Sequence, residues 1–172
     1  GKTSTKDILG ALCSAATPTV WAEASQNNEI GLPLTVCRLE PETGVLVTEM
    51  GMRGLGQIAA LCEIARLELV GTVERVAEAN AEAIAALPAG GIAVVPADAP
   101  ELAPHLGRTD IEIRHFDRSQ VDGAGNDWRF VVGGRDVRLR LPFTARHMAE
   151  NTLAALSAYD ALGLSFDQAQ EG

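Results

Sequence analysis

The residues Gly1-Lys2-Thr3-Ser4 have the form of the last part of a phosphate-binding loop. In such a loop, backbone N–H groups at a helix N-terminus cradle phosphate oxygens, the lysine neutralises them and the hydroxyl reaches Mg²⁺. Taken alone, four residues also suit a solvated helix start, and both readings stay open. Glu49 follows the apolar run Val45-Leu46-Val47. Ligands of open α/β sheets gather at the carboxyl ends of strands, where a carboxylate can hold Mg²⁺ against phosphate oxygens. The other reading is a glutamate that has simply reached solvent. His147 and Asn151 are four apart, share a helix face and could reach one ligand, or could lie on a solvated face. Asn80 falls within an apolar helical stripe and needs hydrogen-bond partners, from the fold or from a site. His105 and His115 have no spacing that suggests a metal site and read as surface residues.

These groups need elements to hold them. Ile8, Leu9, Leu12, Cys13 and Ala16 recur at helical spacing, so the chain opens on a helix that Thr17-Pro18 stops. Residues 27–33 read as a structured loop leading to a short helix or an extended segment. Residues 45–50 suit a strand buried on both faces of a parallel sheet, followed by a glycine-rich turn and a helix from Gln57 to Ala65. Thr72 is a plausible N-cap for a helix to Leu87, with its stripe on Val73, Val76, Ala77, Ile84 and Leu87. Residues 91–96 read as a second buried strand and 110–116 as a sheet edge. Residues 128–132 and 136–141 flank Gly133-Gly134-Arg135 as a hairpin, and a last helix runs from about Ala145 to Leu162. The stretch 66–71 is read as too short for a strand with its two connections. The fold class expected is α/β, a mostly parallel sheet flanked by helices, with a small antiparallel hairpin element.

Composition narrows the partners. The 172 residues are 47% hydrophobic, enough to bury one core as a single domain. A formal net charge of -9 disfavours nucleic acid, whose affinity comes from Lys and Arg against phosphates, but a small anion needs only a few local cations. No apolar run is long enough to span a bilayer and no signal peptide is visible, so no membrane insertion and a cytoplasmic location are expected. Three cysteines without a C-x-x-C pair argue against a disulfide framework and against zinc. Cys13 and Cys62 read as small core residues.

Three stretches taken together resemble the Mur ligases, and within them the MurF type: Gly1-Lys2-Thr3-Ser4-Thr5-Lys6-Asp7, Asn27-Asn28-Glu29-Ile30-Gly31-Leu32-Pro33-Leu34-Thr35, and Val47-Thr48-Glu49-Met50-Gly51-Met52-Arg53. The second is the most specific. The likeness extends through Ala145-Arg146-His147-Met148-Ala149-Glu150-Asn151. It implies the central, ATP-binding domain of P-loop type over residues 1–172, expected to be incomplete, with N-terminal and C-terminal domains absent and no turnover by this piece alone. The activity implied is ATP-dependent joining of D-alanyl-D-alanine to the UDP-N-acetylmuramoyl tripeptide through an acyl phosphate, in peptidoglycan precursor synthesis, with ATP and Mg²⁺ required. A monomer is expected.

By the resemblance Gly1, Lys2, Thr3 and Ser4 bind the nucleotide phosphates, with Lys2 on the transferring group. Thr3 and Glu49 hold Mg²⁺, Asn27 and Asn28 face the substrate, and His147 and Asn151 lie by the adenine. The chain departs from the family in places. A strand, a loop and a metal-binding histidine usual before the Leu-Glu sequence are missing between Arg66 and Leu67. Asn80 stands where many relatives carry a carbamoylated lysine, and Ala145 and Met148 stand where a glycine and an asparagine are usual. Another Mur-like amide ligase, a relative of folylpolyglutamate or cyanophycin synthetase, is disfavoured by the Asn27–Thr35 string. A nucleotide-binding or structural fragment without turnover is the alternative of a different class.

Overall fold

Helix α1 spans Lys2–Ala16, and Thr17 ends it by turning extended, with φ -158° and ψ 156°, while its N–H still bonds to the Cys13 carbonyl. Pro18 lacks an N–H and fixes φ, so the chain leaves the helix there and enters a strand. The computed structural model describes residues 1–51, 56–65, 69–71 and 77–170, with 69–71 and 77–80 described by their backbone. Strand β1 (Thr19–Trp21) lies parallel to β2 (Val45–Val47), with α2 (Gly31–Val36) between them in the chain. Gly10 lets α1 settle on β1, because a Cβ there would stand 2.7 Å from the Trp21 ring.

A second parallel sheet has the order β3–β4–β5, from Leu69–Gly71, Ile92–Pro96 and Glu112–Phe116. Central β4 buries Ala93, Val94 and Val95 in succession, as a strand covered on both faces should, and β5 is an edge among the described strands. Helices α3 (Gln57–Ala65) and α4 (Ala77–Ala86) pack together and, with α2, close a core of Leu32, Ile58, Leu61, Cys62, Ile84, Leu87, Ala93 and Val95.

The third sheet is antiparallel: β6 (Val121–Ala124), β7 (Asp127–Val132) and β8 (Arg135–Arg140). Along β7, Trp128, Phe130 and Val132 point inward at period two, and Val121, Val137 and Leu139 join them against α5 (Arg146–Ala161). The turn between β7 and β8 uses Gly133 and Gly134 at φ 56° and 77°, the left-handed values a two-residue hairpin needs. The core here joins this sheet to α5 and α1 through Leu12, Cys13, Leu153, Leu156 and Tyr159. Ile8 and Leu9 are only half-buried beside it.

The structure corrects three readings. Residues 69–71 do form a strand, parallel to β4. Three residues suffice for it. β2 is three residues long and half-buried at Val45 and Leu46, because among the described strands it pairs with β1 alone. β1 itself carries too few residues to show a period. The antiparallel element has three strands rather than two, since β6 buries Val121 alone and so lacks alternation. The Thr72 cap and the contributions of Val73 and Val76 lie outside the described residues, as do the side chains of Ala77 and Asn80. Among the described residues, no helix is long and apolar enough to cross a membrane.

Candidate functional site

The N-terminus of α1 is uncapped by any side chain and has no acidic residue in its first turn. Four backbone N–H groups at such an end lack intrahelical partners, and the helix dipole makes the end positive. Lys2 adds a charge of the same sign, which a helix would avoid unless an anion answers it. Lys2 and Gly1 are exposed, Thr3 and Ser4 half-buried, and none of the Lys2, Thr3 and Ser4 side chains bonds to the described residues. A local positive site therefore exists on a chain of net charge -9.

The carboxyl end of β1 lies beside the second turn of this helix, where Lys6 reaches the Ala22 and Ala24 carbonyls. The ladder extends beyond β1, because Ala22 N–H donates to the Val47 carbonyl at 3.1 Å. Two residues on from Val47, Glu49 is buried at 7% exposure. Asn27 Nδ2 donates to Glu49 Oε1 at 3.0 Å, and Gly51 N–H donates to the Asn27 carbonyl at 2.7 Å. Asn27 thus fixes both the carboxylate and the loop after it. The second oxygen, Glu49 Oε2, is buried without a partner. A buried carboxylate oxygen in that state is costly unless a cation or donor reaches it. That suits a hard divalent cation such as Mg²⁺, which prefers oxygen ligands and keeps several from water or phosphate. Among the described residues, no three His, Cys, Asp or Glu side chains are grouped to hold a metal by themselves.

Asn28 is placed differently from Asn27. It is exposed, and its Oδ1 accepts from Ile30 N–H at 3.1 Å and Gly31 N–H at 2.9 Å, so it shapes the entry to α2. The two adjacent asparagines are divided between helix entry and carboxylate anchoring.

His147 and Asn151 both lie on α5, His147 exposed and Asn151 buried at 7%. Asn151 Nδ2 donates to Met148 Sδ at 3.7 Å. α5 packs along α1, but among the described residues no hydrogen bond joins either side chain to Gly1–Ser4 or to Glu49. His105 and His115 are exposed, as read from the sequence. The cysteines follow suit: burial pushes the Cys13 thiol up to about 12, and burial with the Glu82 charge pushes Cys62 up to about 11.

The sequence reading assigned no role to two residues here. Thr5 Oγ1 is buried without a partner. Lys6 is 4% exposed, and its ammonium donates to the Ala22 and Ala24 carbonyls. A signal existed: Lys6, Gly10 and Cys13 are spaced i, i+4, i+7 on one buried face of α1.

Residues 1–159 match the Mur ligase middle domain. Over its whole length the chain is 32% identical to a UDP-N-acetylmuramoyl-tripeptide--D-alanyl-D-alanine ligase of Synechocystis sp., covering 41% of that protein. It is 28% identical, again over its whole length, to the enzyme of the same name from Escherichia coli, of which it covers 44%. The chain thus spans about two-fifths of the length of these curated relatives. In fold it resembles crystalline MurF from Acinetobacter baumannii, with a TM-score of 0.83 over 99% of this chain and 42% of that one, at 23% identity.

Proposed function

From the premise that the chain belongs to the Mur ligase family, as its middle domain, we propose that the protein carrying it joins D-alanyl-D-alanine to the UDP-N-acetylmuramoyl tripeptide at the expense of ATP. The tripeptide's terminal carboxylate takes the γ-phosphoryl group, forming an acyl phosphate and releasing ADP. The amine of D-alanyl-D-alanine then attacks the acyl carbon, and phosphate leaves as the amide forms.

The observation that carries the reading is Glu49, buried at the end of β2 with one oxygen held by Asn27 and the other without a partner. Glu49 and Thr3 would hold Mg²⁺, which offsets charge on the phosphates when bound. The amides of Gly1–Ser4 and the Lys2 ammonium bind phosphate oxygens, Lys2 on the transferring group. Asn27 holds Glu49 and, with Asn28, borders the tripeptide. His147 and Asn151 form the adenine side. The relatives' shared name supports the choice of D-alanyl-D-alanine as acceptor. We place the enzyme in the cytoplasm, as a monomer.

The test is ATP consumption by the full-length protein. ADP and phosphate should form when tripeptide precursor, D-alanyl-D-alanine and Mg²⁺ are all present, and not when either substrate is withheld. Glu49→Gln should lower kcat on the order of 10²-fold, the scale of losing one electrostatic contact to reacting charge. No ATP consumption with the complete mixture would overturn the reading.

A further inference from the structure

Lys6 is a charged side chain in an interior position. Burying an ammonium is costly unless its hydrogens are all satisfied. An ammonium has three donors and no acceptor. Here the Nζ lies 2.6 Å from the Ala22 carbonyl oxygen, 2.9 Å from that of Ala24 and 2.8 Å from Asp7 Oδ1. Three donors meet three acceptors, so Lys6 has no hydrogen left for a phosphate. Its work is therefore different from that of Lys2, whose ammonium is exposed.

What Lys6 holds is the chain between β1 and Asn27. Ala24 adopts φ 47°, a left-handed conformation that is unfavourable for a residue with a Cβ. Its carbonyl is one of the two that Lys6 binds. From there Gln26 N–H bonds back to Glu23 and Asn27 N–H to Ser25, a tight turn that delivers Asn27 to Glu49. The segment 22–27 is clamped at one end by the α1 ammonium and at the other by the Glu49 carboxylate.

We propose that Lys6 is a positioning residue that sets Asn27, and through it Glu49, relative to the Gly1–Ser4 turn. The inference rests on the ligase reading for its biological meaning, but it can be measured without turnover. Mn²⁺ serves as the probe ion, and its affinity for the full-length protein with ATP is read from the free-ion electron paramagnetic signal. Lys6→Met and Asn27→Ala should each weaken Mn²⁺ binding by about 10-fold or more, the scale of losing a group that orients a ligand. The double variant should be no weaker than the poorer single one, because both changes break one chain of contacts.

Unchanged Mn²⁺ affinity in a folded Lys6→Met protein would overturn the proposal, as would effects that multiply in the double variant. Should Lys6→Met not fold, Lys6→Gln, which keeps two donors for the two carbonyls, should retain Mn²⁺ affinity within about 2-fold of wild type, and a loss of about 10-fold or more in it would overturn the proposal. A wild-type protein that binds Mn²⁺ and ATP yet forms no amide would refute the ligase reading and leave the Lys6 measurement intact.

Discussion

Three cysteines occupy different environments: Cys13 and Cys62 are buried and Cys37 is exposed. Burial disfavours the thiolate, which is the reactive form, so Cys13 and Cys62 are inert in the fold. Among these three, iodoacetamide at pH 8 should label Cys37 in the native protein and the other two only after unfolding. Mass spectrometry of the labelled peptides would show it, and native labelling of Cys13 would contradict the packing described. The same burial has a sign in stability. A group whose folded pKa is raised contributes stability that is fully present below its unfolded value, here 9.0, and lost as pH rises through about 11 for Cys62 and 12 for Cys13. Alkaline solutions above pH 9 should therefore lower the melting temperature. At this scale the sequence was informative about residue type and poor about pairing. Glu49 and Asn27 could each be singled out, yet their bond spans 22 residues and is made only by tertiary folding. Lys6 was hidden for a related reason. A lysine in the second turn of a helix reads as solvated until a neighbouring loop supplies carbonyls to surround it.

The helices and the hairpin are where local pattern and structure agree best. α1 and α5 end close to the positions their periodicity and stop signals indicate, because each buries a stripe and meets a turn residue, and α3 spans the residues that its stripe indicates. Two of the three-residue strands were illegible, since β1 and β3 are too short for alternation and are made by pairing with a neighbour. α1 matters most for the site, as it carries both Lys2 and Lys6. Its seat on β1 depends on Gly10, where an added Cβ would meet three Trp21 ring atoms within 3.0 Å. Gly10→Ala should force the helix away from the strand and cost about 1–3 kcal/mol of stability, as overpacking commonly does. Denaturant unfolding would measure the loss. A neutral or stabilising effect, as expected for glycine to alanine on an open helix face, would show that the contact is relaxed at no cost.

For the whole molecule, the site as proposed draws on parts that are distant in the chain: the start of α1, the ends of β1 and β2, and α5. A ligand that binds this arrangement only when folded must stabilise it. ATP with Mg²⁺ at 100 times its dissociation constant should add about 2.7 kcal/mol to unfolding. Thermal unfolding of the full-length protein with and without nucleotide would test this, and an unmoved transition would speak against a nucleotide site. The fold class was legible because buried strands and amphipathic helices alternate along most of the chain. The division of its parallel strands into two sheets among the described residues was not, since that depends on which neighbours pair.

The packing of α1 against α5 also governs the order in which the protein can be completed. Helix α1 leaves the ribosome with Leu12 and Cys13 bare, and the residues that cover them, among them Leu156 and Tyr159, belong to α5. At ordinary rates of synthesis the interval is on the order of ten seconds. During it the Gly1–Ser4 segment already exists as sequence, but its helix has no backing. Nascent chains are therefore open to capture by chaperones or by one another until α5 emerges.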